Sequence, residues 1–300
     1  VLLLGLAGCL PQEPTSPVPA TPTAAPTGEL ALRVGSKNFT ESYVVAEMYA
    51  QMLAEVGYPV ERRLDLGDTP AAHAALMRGD IDLYPEYTST GLMTMLKTPA
   101  PSGARAIYQA VKDGYADRFG LVWLDAAPFN NPQALATTNE VAEAEALHSY
   151  SDVAAKAGEL VLGAPPEFIQ REDGLGALQA KYGGFAFRQV KPLAPGLRYE
   201  ALTHGDVDVV VAFGTDGQIN GLGLVLLEDD LGLYPPYQVA PVVRQEALTS
   251  HPKLAETLNR LSPLLNTQVM QALNWQVDGP DALSPAEAAT AFLRDKGLVP

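Results

Sequence analysis

The strongest constraint on the fold is a segment that occurs twice. Ala75-Leu76-Met77-Arg78-Gly79-Asp80-Ile81-Asp82-Leu83 is matched by Ala201-Leu202-Thr203-His204-Gly205-Asp206-Val207-Asp208-Val209, 126 positions later. In each copy a helix closes on glycine and a D-x-D enters an apolar strand. An aromatic residue stands at the strand's far end, Tyr87 in one copy and Phe213 in the other. A looser echo pairs Val34-Gly35-Ser36-Lys37 with Leu162-Gly163-Ala164-Pro165. Two lobes of similar construction follow from this.

The pattern around each copy sets the class of those lobes. Leu30 to Val34 reads as a strand, and Glu41 to Val56 carries apolar residues at helical spacing before Gly57. A strand through Val60 to Leu66, a helix over Ala71 to Met77 and a strand over Ile81 to Tyr84 complete the unit. The rhythm resumes with strands at Leu160 to Gly163, Phe187 to Val190 and Val207 to Phe213. Helices near Gly174 to Lys181 and Tyr199 to Thr203 lie between them. Alternating strands and helices predict an α/β architecture with parallel sheets. The stretch from His251 to Leu298 reads as helices, punctuated by Gly279-Pro280.

Parallel sheets bind ligands at the carboxyl ends of their strands, and two facing edges make a cleft. The loop positions at those edges collect Lys37, Tyr87, Thr90, Arg171, Tyr199 and Phe213. Aromatic faces attract a cation, by about 0.5 to 2 kcal/mol each. A quaternary ammonium has no N–H, so rings suit it better than hydrogen-bond acceptors. A carboxylate on the same molecule would want lysine, arginine and a hydroxyl. A D-x-D can also hold a metal or a nucleotide sugar. Aspartate after a glycine turn is more often a turn or cap residue, and that reading is preferred.

Composition mostly excludes. Across 300 residues there are 35 acidic and 20 basic side chains, a net charge of −15, which argues against a nucleic-acid partner. One cysteine and four scattered histidines rule out a disulfide framework and a cysteine zinc cluster. There is no G-x-S-x-G, H-E-x-x-H or Walker loop, and Gly174-Leu175-Gly176 and Gly221-Leu222-Gly223 lack a third glycine. Binding without catalysis is therefore expected, with no metal and no cofactor.

The single cysteine has its own context. Val1 to Gly8 is apolar and ends in small residues, as a signal-peptide apolar region does. Leu6-Ala7-Gly8-Cys9 resembles the bacterial lipobox, whose cysteine is diacylated. Residues 10 to 28 then hold six prolines among Thr, Ala and Ser, a composition that favours an extended tether. The expectation is a signal remnant with lipobox over 1–9, a tether over 10–29, and a body anchored outside the cytoplasm of a bacterial cell.

Longer motifs carry a family resemblance. Val34-Gly35-Ser36-Lys37-Asn38-Phe39-Thr40-Glu41, Asp82-Leu83-Tyr84-Pro85-Glu86-Tyr87-Thr88-Ser89-Thr90 and Leu197-Arg198-Tyr199-Glu200-Ala201-Leu202 carry it, with Pro235-Pro236-Tyr237 and Leu273-Asn274-Trp275-Gln276-Val277-Asp278-Gly279. These motifs resemble the osmoprotectant-binding proteins and lipoproteins of glycine betaine, choline and carnitine ABC importers, from Leu30 to Val299. The resemblance implies a type II periplasmic-binding-protein fold, two α/β lobes around a ligand cleft with two hinge crossings. The crossings are expected near Ala134 to Thr138 and Pro235 to Val239. Lobe one is then 30–134 plus 238–300, and lobe two is 135–237.

In that family four tyrosines box a trimethylammonium group, and lysine or glutamine, threonine and arginine hold a carboxylate. Carried over, Tyr87 and Tyr199 are box rings, Phe213 keeps a ring without the hydroxyl, and Gln133 stands where a tyrosine is usual. Asn131 lies in the same segment, Phe129-Asn130-Asn131-Pro132-Gln133. Lys37, Thr90 and Arg171 fit the carboxylate positions, and Ser89 replaces a common glycine. The departures imply weaker glycine betaine binding, or a larger betaine with hydrogen-bond needs of its own. The implied role is a substrate-binding protein that closes on a quaternary ammonium solute and delivers it to a permease driven by ATPase subunits, acting as a monomer. The alternative keeps the fold with another ligand, such as an ergothioneine-like aromatic betaine, choline or an amino acid.

Overall fold

The computed structural model describes residues 1, 31–170, 173–194 and 197–300. Cys9, the proline-rich stretch 10–29 and Arg171 lie outside the described residues.

Among the described residues, ten strands form two five-stranded sheets. They are β1 (Leu32–Gly35), β2 (Val60–Arg63), β3 (Leu83–Tyr87), β4 (Leu121–Trp123), β5 (Gln133–Thr137), β6 (Val161–Ala164), β7 (Gln189–Pro192), β8 (Val209–Phe213), β9 (Val225–Leu226) and β10 (Val239–Arg244). The first sheet runs β2-β1-β3-β10-β4 and the second β7-β6-β8-β5-β9. In the first, β1 is parallel to β2 and β3, while β10 is antiparallel to β3 and β4. In the second, β6 is parallel to β7 and β8, while β5 is antiparallel to β8 and β9. The two sheets are the same topology built twice, as the repeated segment predicts.

The antiparallel strand of each sheet arrives from the other sheet. β5 follows β4 of the first sheet, and β10 follows β9 of the second. The chain therefore passes between sheets before Gln133 and again between Leu226 and Val239. This corrects the expected first crossing: Ala134 to Thr137 is strand wholly paired in the second sheet, so the passage precedes it.

The D-x-D motifs explain how each central strand begins. In the first sheet the Arg33 N–H donates to Asp82 Oδ2 at 2.9 Å, and the Asp82 N–H donates to the Arg33 carbonyl at 2.7 Å. In the second the Val161 N–H donates to Asp208 Oδ2 at 2.7 Å, and the Asp208 N–H to the Val161 carbonyl at 2.9 Å. Each aspartate clips the start of its strand to the neighbouring one, so β3 and β8 begin two residues later than Ile81 and Val207. The carboxylates are engaged by backbone, as a cap reading requires. The turn ahead of each clip needs a left-handed residue, and Gly79 (φ 75°) and Gly205 (φ 74°) supply it.

Helices cover both faces of each sheet, which is why the central strand β8 is apolar and buried from Val209 to Ala212. Along β8, Val209 and Val211 join one core and Val210 and Ala212 the other, the period-two alternation of a strand. The helix Thr69–Arg78 starts at Asp68, whose side chain accepts the Ala71 N–H at 3.1 Å, with proline in its first turn. The C-terminal helices, including Thr267–Asp278 and Pro285–Asp295, add Leu273 and Leu293 to the core over Leu32 and Val34.

Candidate binding site

The carboxyl edge of the first sheet is organised by a buried ion pair. β1 ends at Gly35 and the next turn brings Lys37 inward, its N–H held by Ser42 Oγ at 2.9 Å. Lys37 Nζ donates to Glu86 Oε1 at 2.5 Å and to Thr69 Oγ1 at 3.3 Å. Glu86 is 0% exposed and also accepts the Tyr84 hydroxyl at 3.1 Å and the Tyr87 N–H at 2.7 Å. A buried pair survives when further hydrogen bonds satisfy it, and this one is satisfied on the carboxylate side. An ammonium has three donors, so Lys37 keeps one N–H beyond its two described partners.

Tyr87 closes β3 beside this pair. Lys37 Nζ lies 4.7 Å from its ring centroid and 5.5 Å from that of Phe39. The Tyr87 hydroxyl donates to Glu41. Glu41 also accepts Asn131 Nδ2 at 3.0 Å and Asn274 Nδ2 at 3.1 Å. Burial raises the Glu41 carboxyl above its ordinary value, and these hydrogen bonds oppose the rise. Burial likewise pushes the Tyr87 hydroxyl well up, so it remains a donor.

The second sheet presents a different arrangement. Asp216 Oδ2 accepts the Tyr199 hydroxyl, the Arg198 guanidinium and, at 2.9 Å, the Phe213 N–H. The guanidinium carbon is 4.8 Å from the Tyr199 ring centroid and 5.7 Å from that of Phe213. Tyr199 is 5% exposed and Phe213 36%. Phe213 is thus the more exposed ring, and the Tyr199 hydroxyl shares Asp216 with the Phe213 N–H. Gln133 pairs with Phe213 across the sheet and donates from Nε2 to Asp173 Oδ2 at 3.1 Å.

Residues 214 to 221 join the two groups. The Thr215 N–H donates to Asn131 Oδ1 at 3.4 Å, and its carbonyl accepts Asn274 Nδ2 at 2.8 Å. Gln271 Nε2 donates to the Gly214 carbonyl at 2.8 Å. The following turn, Gly217–Gly221, packs on the helix Thr267–Asp278. A Cβ at Gly221 would lie 2.1 Å from the Trp275 indole, so only glycine permits this approach.

The structure therefore brings Lys37, Tyr87 and Asn131 into one group and Gln133, Tyr199 and Phe213 into another, linked through Thr215. Thr90 sits in the helical turn Thr88–Thr90 directly after Tyr87, half-buried, with no side-chain hydrogen bond among the described residues. Contrary to a simple open box, the protein's own cations already lie over the expected rings: Lys37 over Tyr87, Arg198 over Tyr199 and Phe213. Glu41, Glu86, Arg198 and Asp216 escaped the sequence reading as site residues. The first three stand inside the motifs quoted above, and Asp216 lies three residues beyond Phe213. Tyr237 also arrives here: its N–H donates to Asn130 Oδ1 at 2.7 Å and its carbonyl accepts the Asn131 N–H at 3.1 Å.

Comparison with known proteins agrees with this architecture. The chain is 34% identical over 271 residues to the ergothioneine transport permease/ergothioneine binding protein EgtU of Helicobacter pylori (strain G27), covering 90% of this chain and 48% of that protein. It therefore spans about half of that relative. It is 32% identical to the carnitine transport binding protein OpuCC of Listeria monocytogenes, covering 88% of this chain and 86% of that one. A solved glycine betaine/carnitine/choline ABC transporter structure superposes with a TM-score of 0.82 at 30% identity, over 89% of this chain and 99% of the other. Residues 31–295 match the family described as the substrate binding domain of the ABC-type glycine betaine transport system, and the chain belongs to that family.

Proposed function

We propose that this chain captures a quaternary ammonium zwitterion outside the cytoplasm and hands it to an ABC permease. The observation that carries this reading is the pair of matched strand ends. Tyr87 and Phe213 close equivalent strands at the carboxyl edges of two sheets, and each ring already has a cation within 6 Å. Rings that hold lysine and arginine are electrostatically suited to a trimethylammonium group. Lys37, with one N–H to spare, and Thr90 and Arg171 are the proposed carboxylate partners. Asn131 and Gln133 line the passage between the lobes. Tyr199 supports Phe213 through Asp216.

Contacts from both lobes to one guest favour the closed arrangement by differential affinity. Lobe one is taken as 30–132 plus 238–300 and lobe two as 133–237, following the sheet to which β5 belongs. Lipidation of Cys9 would keep the receptor near its permease and raise their effective concentration. The receptor works as a monomer and binds without turnover.

Thermal denaturation with and without ligand tests the reading. Saturating glycine betaine, carnitine, choline or ergothioneine at about a hundred times its Kd should raise the Tm by roughly 5 to 10 °C for at least one of them. Proline and glycine, which lack the quaternary centre, should leave it unmoved. No shift with any quaternary ammonium compound would overturn the proposal.

A further inference from the structure

Glu41 lies in the first turn of the helix Thr40–Glu55 and is 3% exposed. The side chains that donate to it, from Tyr87, Asn131 and Asn274, are all neutral. Two of these donors join it to the other lobe. Asn131 gives Nδ2 to Glu41 Oε1 at 3.0 Å and takes the Thr215 N–H on Oδ1 at 3.4 Å. Asn274 gives Nδ2 both to Glu41 Oε2 at 3.1 Å and to the Thr215 carbonyl at 2.8 Å. Each carboxylate oxygen is thus tied, through one amide, to one backbone group of Thr215. That residue is 1% exposed and stands two positions past Phe213.

The clasp is incomplete. Asn274 Oδ1 is buried without a hydrogen-bond partner. Turning the amide over would set that oxygen against two other acceptors, so the shortage is of a donor. A buried acceptor left over beside a buried carboxylate favours one more proton in the group. Burial works in the same direction, since it raises the Glu41 carboxyl against the hydrogen bonds that oppose the rise. Thr215 belongs to lobe two, so parting the lobes at this contact withdraws it and lets water reach the carboxylate. The closed arrangement then holds a proton on Glu41 more tightly than the open one.

We propose that Glu41 is a proton-linked bolt between the lobes, taking up a proton as they close on a ligand so that capture tightens as pH falls. The inference rests on the functional reading above and adds regulation to it. A ligand that favours the closed state raises the affinity for that proton, and by reciprocity the proton raises the affinity for the ligand. The other titratable and charged groups around the clasp are accounted for by element. On β3, Tyr87 is kept protonated by burial, and Glu86 pairs with Lys37, with His73 beyond it lowered by burial. After β8, Asp216 is held by Arg198. Asp278 shares a helix with Asn274, accepts the Thr40 hydroxyl at 2.7 Å and is also raised by burial, so it is the competing proton acceptor.

Titration calorimetry of the full chain tests this, with the tightest binding of glycine betaine, carnitine, choline and ergothioneine as the probe. Runs in two buffers of different ionisation enthalpy count the protons taken up per ligand bound. Between about pH 5 and 8 the wild-type protein should take up a fraction of a proton. Affinity should fall as pH rises, by about tenfold in all for each unit by which closure lifts the carboxyl. Glu41→Gln places an amide of the same size in the clasp and should bind with no uptake and a flat pH profile. Asp278→Asn should keep the wild-type uptake. Zero uptake by the wild-type protein, uptake that survives Glu41→Gln, or uptake lost in Asp278→Asn would overturn the inference and leave quaternary ammonium capture intact. Circular dichroism reports whether Glu41→Gln folds, and the wild-type and Asp278→Asn counts stand as tests without it. Binding of none of the four compounds would overturn both.

Discussion

The two lobes share a strand-start device and differ in how they finish the strand. Asp82 and Asp208 each accept a backbone N–H on the carboxylate and return their own N–H to the same residue of the adjacent strand. In lobe one that residue is Arg33, whose guanidinium also grips Asp82 at 2.7 and 2.9 Å. In lobe two it is Val161, and among the described residues the cation nearest Asp208 is Arg188 at 3.7 Å. The backbone clip is thus the requirement of the fold, and the guanidinium pair is an addition. At the other end Tyr87 is buried with its hydroxyl on Glu41, whereas Phe213 is exposed and held by its N–H on Asp216. Lobe one anchors its ring residue through both hydroxyl and backbone N–H, and lobe two through the backbone N–H, with Phe213 the more exposed ring.

The largest test of this contrast concerns the anchors. Asp216→Ala strips a buried guanidinium of its carboxylate and should destabilise the protein by roughly 3 to 5 kcal/mol. Glu41→Ala leaves neutral donors unpaired and should cost less, about 2 to 3 kcal/mol. Urea unfolding of both variants measures the order, and a larger loss for Glu41→Ala would break the comparison. The clips come next. Asp82→Ala should lose about 2 to 3 kcal/mol and Asp208→Ala about 1 kcal/mol, because only the former gives up a close ion pair. Equal losses would show that the guanidinium contributes nothing.

Smaller effects separate the rings. Phe213→Ala should weaken a quaternary ammonium ligand by about 0.5 to 2 kcal/mol, while Phe213→Tyr should stay within about threefold. Tyr199→Phe keeps the ring and loses the hydroxyl's bonds to Asp216 and Arg198, so calorimetry should show a smaller loss than for Phe213→Ala. The smallest effect is on pH dependence. Burial raises the Glu41 carboxyl, so the folded state holds a proton there more tightly than the unfolded chain does. Its contribution to stability is therefore fully present below the unfolded carboxylate range and is lost as pH rises through the raised value. Glu41→Gln removes that contribution, so the stability gap between wild type and variant should shift toward the variant with rising pH.

Much of the architecture was legible because it is written locally. Gly79 and Gly205 mark helix ends by a conformation few other residues accept, and the aspartates after them mark strand starts. The first crossing was misplaced because Gln133-Ala-Leu-Ala-Thr137 is short and polar at both ends. It becomes a strand by pairing with β8 and β9, more than seventy residues away. The site charges were harder for the same reason. Lys37 and Glu86 stood in quoted motifs, yet nothing local says that they neutralise each other across 49 positions. Asp216 could have been suspected from its place three residues past Phe213, where a side chain reaches back to a turn N–H.

The central claim is that charge on a quaternary nitrogen, rather than its bulk, is what the two lobes recognise. Titration calorimetry with glycine betaine and with 3,3-dimethylbutanoate, which replaces the nitrogen by carbon at the same shape, tests it directly. The account predicts that the neutral-headed analogue binds at least about tenfold more weakly, given the worth of two ring–cation contacts. Equal affinity for the two compounds would contradict it.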